Sequence, residues 1–417
     1  MSFEAFTVVV LFAVVAQYVV ETYLLRRHLG HVAAHRSAVP PPFTESIALA
    51  DHQRAADYTA ARGQLGLFES TLGVFVSLAI LFWGLAALWQ FTAQLSDAIW
   101  LRELLLVVLL SIVTGIIGLP FSYYGTFGIE ERFGFNKTTQ KTFWLDMVKG
   151  TLLGGAIMLP LLALLFWLMR GAGSLWWLYA WLVFIGFQLL MLALYPTFIA
   201  PLFNKFKPLE KEDTKAAIEG LMNRTQFQSN GLFVMDGSTR SSHGNAYFTG
   251  FGKAKRIVFF DTLLERLNNN EIVAVLAHEL GHFKRKHIVQ RLVMMAVFSL
   301  AFFAAAAWAM KQPWLFTAFG FASDTGTSAP GVALILFAMV LPALLFWIGP
   351  LSSALSRKHE FEADAYAAEV SSKTDLIAAL TKLYRDNAST LTPDPLYSAY
   401  HHSHPPAMIR IAHLRGL

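Results

Sequence analysis

Residues 278–282 read His-Glu-Leu-Gly-His. Histidines four apart on a helix lie one turn apart on the same face, so both imidazoles can reach a single ion. Glu279 then projects beside them, where a carboxylate can take a proton from an attacking water and later pass it to a leaving amine. The chemistry predicted is hydrolysis of a peptide bond, with His278 and His282 holding one zinc ion. The motif arises by chance in roughly one chain in a hundred of this length, so its surroundings must decide. The six residues before it, Ile-Val-Ala-Val-Leu-Ala, are too apolar for the alternative of a solvent-facing amphipathic helix. The histidines are therefore expected to be half-buried and to need partners.

A catalytic zinc takes three protein ligands and keeps one position open. The chain has no cysteine, so the third must be a histidine or a carboxylate. Residues 357–364, Arg-Lys-His-Glu-Phe-Glu-Ala-Asp, read as the start of a helix with Glu360 and Asp364 one turn apart. Glu360 can bind the metal, while Asp364 can orient a ligand histidine through its other ring nitrogen. Taken alone, these acids could equally form a solvated face with Arg357 and Lys358. Nearer the C-terminus, His401-His402-Ser403-His404-Pro405-Pro406 and Arg410 form a polar cluster in which the prolines set an extended turn before a short helix. A histidine or arginine held near the metal could stabilise an oxyanion, but by itself the cluster reads better as a surface turn. The run from Ser241 to Phe248 precedes a strand. An exposed edge there could pair with substrate backbone, or be an ordinary hairpin turn. His243, His287, His359 and His413 have no evident partner and read as solvated or structural.

The elements that must position these residues are set by a chain that is 55% hydrophobic and only 15% charged, with mean hydropathy +0.48. That is a membrane protein. The net charge of +5 fits basic cytoplasmic loops, and no nucleic-acid partner is expected. Apolar stretches long enough to span run over about residues 6–25, 72–91, 104–123, 152–169, 175–199, 292–310 and 332–348. The first has no basic residue before it and Arg26 and Arg27 behind it, the reverse of a secretory signal, which predicts an uncleaved span with its N-terminus outside. Basic residues then alternate with the crossings: Arg54, Arg62, Arg132, Lys137, Lys141 and Lys149 fall on one side, against Arg102, Arg170 and Lys311 on the other. This puts residues 200–291 and 352–417 in the cytoplasm, around membrane segments 1–199 and 292–351. Within 200–291 the pattern predicts a helix over 213–225, strands over 231–235 and 256–260, and a helix capped by Asn268–Asn270 that carries Ile272, Val273, Leu276 and Leu280 at helical spacing. The last two spans form a hairpin that returns the chain to the side it left. Glu360 can thereby meet His278 and His282 just outside the bilayer.

With these residues assembled, the chain resembles the zinc-dependent CAAX prenyl proteases of the integral-membrane, a-factor-converting type. The resemblance covers Ile129-Glu130-Glu131-Arg132-Phe133-Gly134-Phe135-Asn136, the run from Tyr195-Pro196 to Leu202-Phe203, the stretch 241–264, the HELGH helix, 356–364 and 402–410. It implies a mainly α, polytopic fold of about seven transmembrane helices enclosing a chamber, with a small cytoplasmic α+β zinc-peptidase domain at one end. It implies zinc on His278, His282 and Glu360, Glu279 as general base and acid, and His404 in transition-state stabilisation. Asn245 and Ala246 are implied to hold substrate backbone, and the tail cluster extends substrate binding to Arg410. The expected partners are a lipid bilayer and a peptide or protein substrate, prenylated or not, cut near its C-terminus in a bacterial inner membrane or the endoplasmic reticulum. Two alternatives stand beside this: a membrane-protein quality-control protease of broad specificity, and a transporter or scaffold with a silent zinc site, in which Glu279 would have no purpose.

Overall fold

The computed structural model describes residues 2–249 and 256–417; residues 250–255, inside the 241–264 stretch named above, lie outside the described residues. Seven helices long and apolar enough to cross a membrane are present among the described residues: Glu4–Ala34, Leu49–Leu95, Ile99–Glu130, Gln140–Gly171, Gly173–Leu202, His287–Ala309 and Pro330–Val370. Each covers one of the expected stretches, the sixth to within one residue, but most run well past it. The second is 47 residues long, about 70 Å at the α-helical rise, against about 30 Å of hydrocarbon. Its excess lies before the apolar part, where Asp51 to Gly66 supply good helix formers and no proline, so Arg54 and Arg62 sit on a helix rather than in a loop. The seventh likewise continues without a break into the polar helix Gly349–Val370, which carries Glu360 and Asp364.

Two large cores and a small third one, around Ile129, Phe133 and Phe135, hold the described residues together. The first joins Phe6, Leu85, Leu106, Phe166, Trp176, Phe303 and Val332, from the same end of the membrane helices, with Phe316 of the short helix Pro313–Thr317 that links the last two. Glu103 is fully buried there, paired with Arg170 and accepting from the Gly331 amide at 2.8 Å, which settles a charge that would otherwise be costly at membrane depth. Away from this plug the helices bury little; in the fifth, the 18-residue apolar stretch has no buried residue at all. Helices exposed on both faces, closed together at one end only, form the wall of a hollow. Polar side chains including Arg62, Glu69, Ser122 and Glu130 line a cavity within it.

The second core belongs to the peptidase portion and joins Ile218, Leu221, Phe259, Leu263, Ile272, Leu276, Leu380 and Leu414. A four-stranded sheet lies in it, in the order β1 (Phe206–Pro208), β2 (Leu232–Met235), β4 (Arg256–Phe260), β3 (Ala246–Thr249), with β2 and β4 parallel and the other pairs antiparallel. β2 and β4 match the strands read from sequence. β1 and β3 span only three and four residues, too short to establish an alternating pattern.

The HExxH motif lies on the helix Asn269–Lys284, started by a capping box in which the Asn268 side chain accepts from the Glu271 amide and the Glu271 carboxylate accepts from the Asn268 amide. This helix crosses Gly349–Val370 at Gly281, where a Cβ would stand 2.8 Å from Ala363 Cα and 2.9 Å from its carbonyl oxygen. Only glycine permits that approach. Gly281→Ala is expected to cost about 1–3 kcal/mol through overpacking and to weaken metal binding by pushing the two helices apart. Thermal unfolding in detergent and chelator competition read the two effects; if neither moves, the close approach is not needed.

Candidate metal centre

The helix crossing brings His278, His282 and Glu360 together as the metal-competent group among the described residues. His278 Nε2 and His282 Nε2 stand 3.2 Å apart, with Glu360 Oε1 3.3 Å from the latter and Oε2 3.5 Å from the former. Ligands arranged tetrahedrally around zinc, with bonds of about 2.0–2.1 Å, stand about 3.3–3.4 Å from each other. The spacing fits without rearrangement. Two ring nitrogens facing each other at 3.2 Å also require a cation or a shared proton between their lone pairs. Glu360 Oε2 is buried without a hydrogen-bond partner, a second sign that an ion completes the site.

Charge makes the same point. The carboxylates of Glu360 and Asp364 face the single guanidinium of Arg410 in a buried cluster, leaving one net negative charge for a metal cation, or in its place a protonated imidazole, to balance. Burial pushes the Glu279 carboxyl above its ordinary range, as expected of a group that must hold a proton and give it up. Burial works to lower His278, but the nearby carboxylates of Asp364 and Glu360 outweigh it and hold the imidazole up. Burial likewise works against the charge on Arg410, and the Asp364 pair raises it above the ordinary arginine value.

Asp364 lies where the sequence reading put it: its Oδ1 is 2.8 Å from His278 Nδ1. Arg410 does not. It is 5% exposed and lies behind the candidate ligands, donating to both Asp364 oxygens at 2.8 Å with its third nitrogen 3.4 Å from Glu360. Its guanidinium is thus committed to two buried acids rather than turned into the cleft. Asp364→Asn would remove the charge and leave one acceptor oxygen where His278 and Arg410 use two, and a drop in zinc affinity of about 10–100-fold is expected. Chelator competition measures it; an unchanged constant would remove Asp364 from the metal's support.

A cleft of about 510 Å³ opens in front of the group, lined by Tyr247 and Phe248 of β3, by His278, Glu279, His282 and Glu360, and by His404. His404 Nε2 is 3.6 Å from Glu360 Oε1 with its side chain 67% exposed, so the tail cluster is brought to the site rather than left as a distant turn. Asn245 is exposed at the start of β3, its side chain accepting from the Ala246 amide at 2.9 Å, and β3 is the outermost strand on this side of the sheet. Of the histidines without an evident partner, His243 stacks on Phe135 and lies 3.6 Å from Glu130, and His413 packs on Phe361. His287 is buried against His282, and His359 is buried against His287. Sequence reasoning missed them because His287 follows His282 by five residues, off the helical face that carries the motif.

Comparison with known proteins agrees along the whole chain. Residues 28–205 match the family model for the CAAX prenyl protease N-terminal region with five membrane helices, and residues 208–417 match that for peptidase family M48. A CAAX prenyl protease 1 homolog of Arabidopsis thaliana is 36% identical over 411 residues, covering 96% of each chain. The CAAX prenyl protease 1 of Saccharomyces cerevisiae is 34% identical over 425 residues, covering 96% of this chain and 93% of that one. The crystal structure of S. mikatae Ste24p superposes with a TM-score of 0.92 at 32% identity, covering 98% of both chains.

Proposed function

Because the chain belongs to the CAAX prenyl proteases of peptidase family M48, and is thus a multi-pass membrane zinc metalloprotease, we propose that it cuts prenylated polypeptides near their C-terminus. His278, His282 and Glu360 hold the zinc. The observation that carries this reading is their 3.2–3.5 Å spacing in a cleft lined also by the outer strand β3 and by Ile288, Arg291, Ser352 and Ser356 of the last two long helices. When bound, zinc supplies Lewis acidity to the scissile carbonyl and to the attacking water. Glu279 takes the proton from that water and delivers it to the leaving amine. The outer edge of β3, beginning at Asn245 and Ala246, holds the substrate backbone in extended form. His404, exposed at the rim, donates to the developing oxyanion. Segments 1–199 and 292–351 form the membrane wall, and 200–291 with 352–417 the peptidase portion. Basic residues flanking the helices favour a cytoplasmic peptidase portion and an outside N-terminus, in a bacterial inner membrane or the endoplasmic reticulum. A lipid-tethered peptide suits a site that bulk protein reaches only through the hollow or the cleft.

The test compares a farnesylated CAAX peptide with the same peptide unprenylated, using zinc-loaded protein in lipid, with and without chelator. Chelator-sensitive cleavage that strongly favours the farnesylated peptide is expected. Equal cleavage of both would point to a broad quality-control protease, and cleavage of neither would exclude this substrate class.

A further inference from the structure

The two candidate histidine ligands are supported by different chemistry. His278 Nδ1 meets the Asp364 carboxylate directly at 2.8 Å. His282 Nδ1 instead meets a second imidazole, His287 Nδ1, at 2.9 Å, and His287 Nε2 lies 2.9 Å from Glu362 Oε2. His287 is 1% exposed and stacks on the buried His359, rings 4.0 Å apart and 11° from parallel, whose Nε2 is 2.9 Å from Gln290 Oε1.

Proton bookkeeping leaves one consistent assignment. If His282 gives Nε2 to the metal, its Nδ1 must carry hydrogen and donate. His287 Nδ1 then accepts with its lone pair, which places the hydrogen of a neutral His287 on Nε2, donated to Glu362. Each ring nitrogen of His282 and His287 then has one role and one partner. An ordinary buried histidine would be satisfied by backbone or by one polar neighbour; this one is satisfied only by pointing one nitrogen at the metal ligand and the other at an anion.

We propose that His287 is a positioning residue of the metal centre, fixing the tautomer and ring plane of His282 through a Glu362–His287–His282 series. It rests on the reading of His282 as a ligand. The series has a consequence for architecture. The HExxH helix ends at Lys284, the chain reverses through Lys286 at φ +58°, and His287 is the first residue of the sixth membrane helix. The orientation of one metal ligand is thus set by the end of a membrane-crossing helix, while the other is set by Asp364 on the continuation of the seventh. Membrane helices on either side of the site hold its two histidines from behind.

The experiment measures the zinc dissociation constant of the full chain in detergent by chelator competition, the visible spectrum of the cobalt-loaded protein, and the thermal unfolding of the metal-free protein. His287→Leu is expected to weaken zinc about 10–100-fold, to alter the cobalt bands, and to leave metal-free unfolding close to wild type. His287→Gln, whose amide oxygen accepts and whose amide nitrogen donates, should recover most of the affinity. Glu362→Gln should fall between wild type and His287→Leu. Zinc affinity of His287→Leu within about threefold of wild type would overturn the proposal. If that variant does not fold, Glu362→Gln decides, and wild-type affinity and spectrum in it would overturn the proposal equally. Wild-type protein that takes up no zinc would instead sink the metal reading itself.

Discussion

Glu279→Gln should leave a folded, zinc-replete protein whose turnover falls by about 10²–10⁴-fold, the range expected when a general base is removed. Glutamine matches glutamate in size and the position is not one of the three candidate ligands, so neither packing nor metal content should change. What disappears is the capacity to hold a proton between water and leaving amine. Burial already pushes the Glu279 carboxyl above its ordinary range, so the site is built around a group that exchanges a proton. Zinc content per chain, measured beside kcat on the same preparation, separates this result from metal loss. Turnover within about tenfold of wild type would take the proton transfer away from Glu279.

Glu360→Ala should fail for the opposite reason. It removes one of three ligands, and zinc affinity should fall further than the about 10–100-fold expected for a supporting residue, with activity lost at ordinary zinc concentrations. Arg410 keeps its two 2.8 Å contacts with Asp364, so the buried guanidinium is not left unpaired and the fold should survive. Stoichiometric zinc held at wild-type affinity would remove Glu360 from the ligand set. Together the two variants dissect the centre: one retains the ion without the chemistry, the other loses the ion.

Much of the site could be read in advance because it depends on local regularities. His278 and His282 share a face through the helical period, and Asn268 with Glu271 announces where that helix starts. Asp364 follows Glu360 by one turn, so a carboxylate behind the ligand was foreseeable. The helices of the membrane wall were equally legible as apolar stretches, although their true lengths were not. Apolar residues mark where a helix must be inside the bilayer, and nothing in hydropathy says that it should stop at the surface. The second and seventh helices continue because the polar sequence beyond them also favours helix.

The placement of Arg410 and the partner of His287 were illegible in the sequence for a common reason. Arg410 reaches a ligand 132 residues away in sequence, and its partner could be an acid of the protein or one of the substrate. Composition does not distinguish them. His287 reaches His282 only because the chain turns through a left-handed Lys286, a conformation that lysine does not advertise.

By itself the sequence determined that this chain crosses a membrane about seven times, carries a two-histidine, one-glutamate motif on a helix, and returns a pair of acids to the same side. Those conclusions follow from hydropathy and helical period, which act between residues close in the chain. Only the tertiary structure decided that the helices close at one end around a buried Glu103 paired with Arg170, that glycine at 281 lets two helices approach until three candidate ligands stand at the spacing a single ion needs, and that Arg410 and His287 stand behind the site. These are outcomes of packing between distant segments, fixed by where each buried charge and ring nitrogen can find a partner.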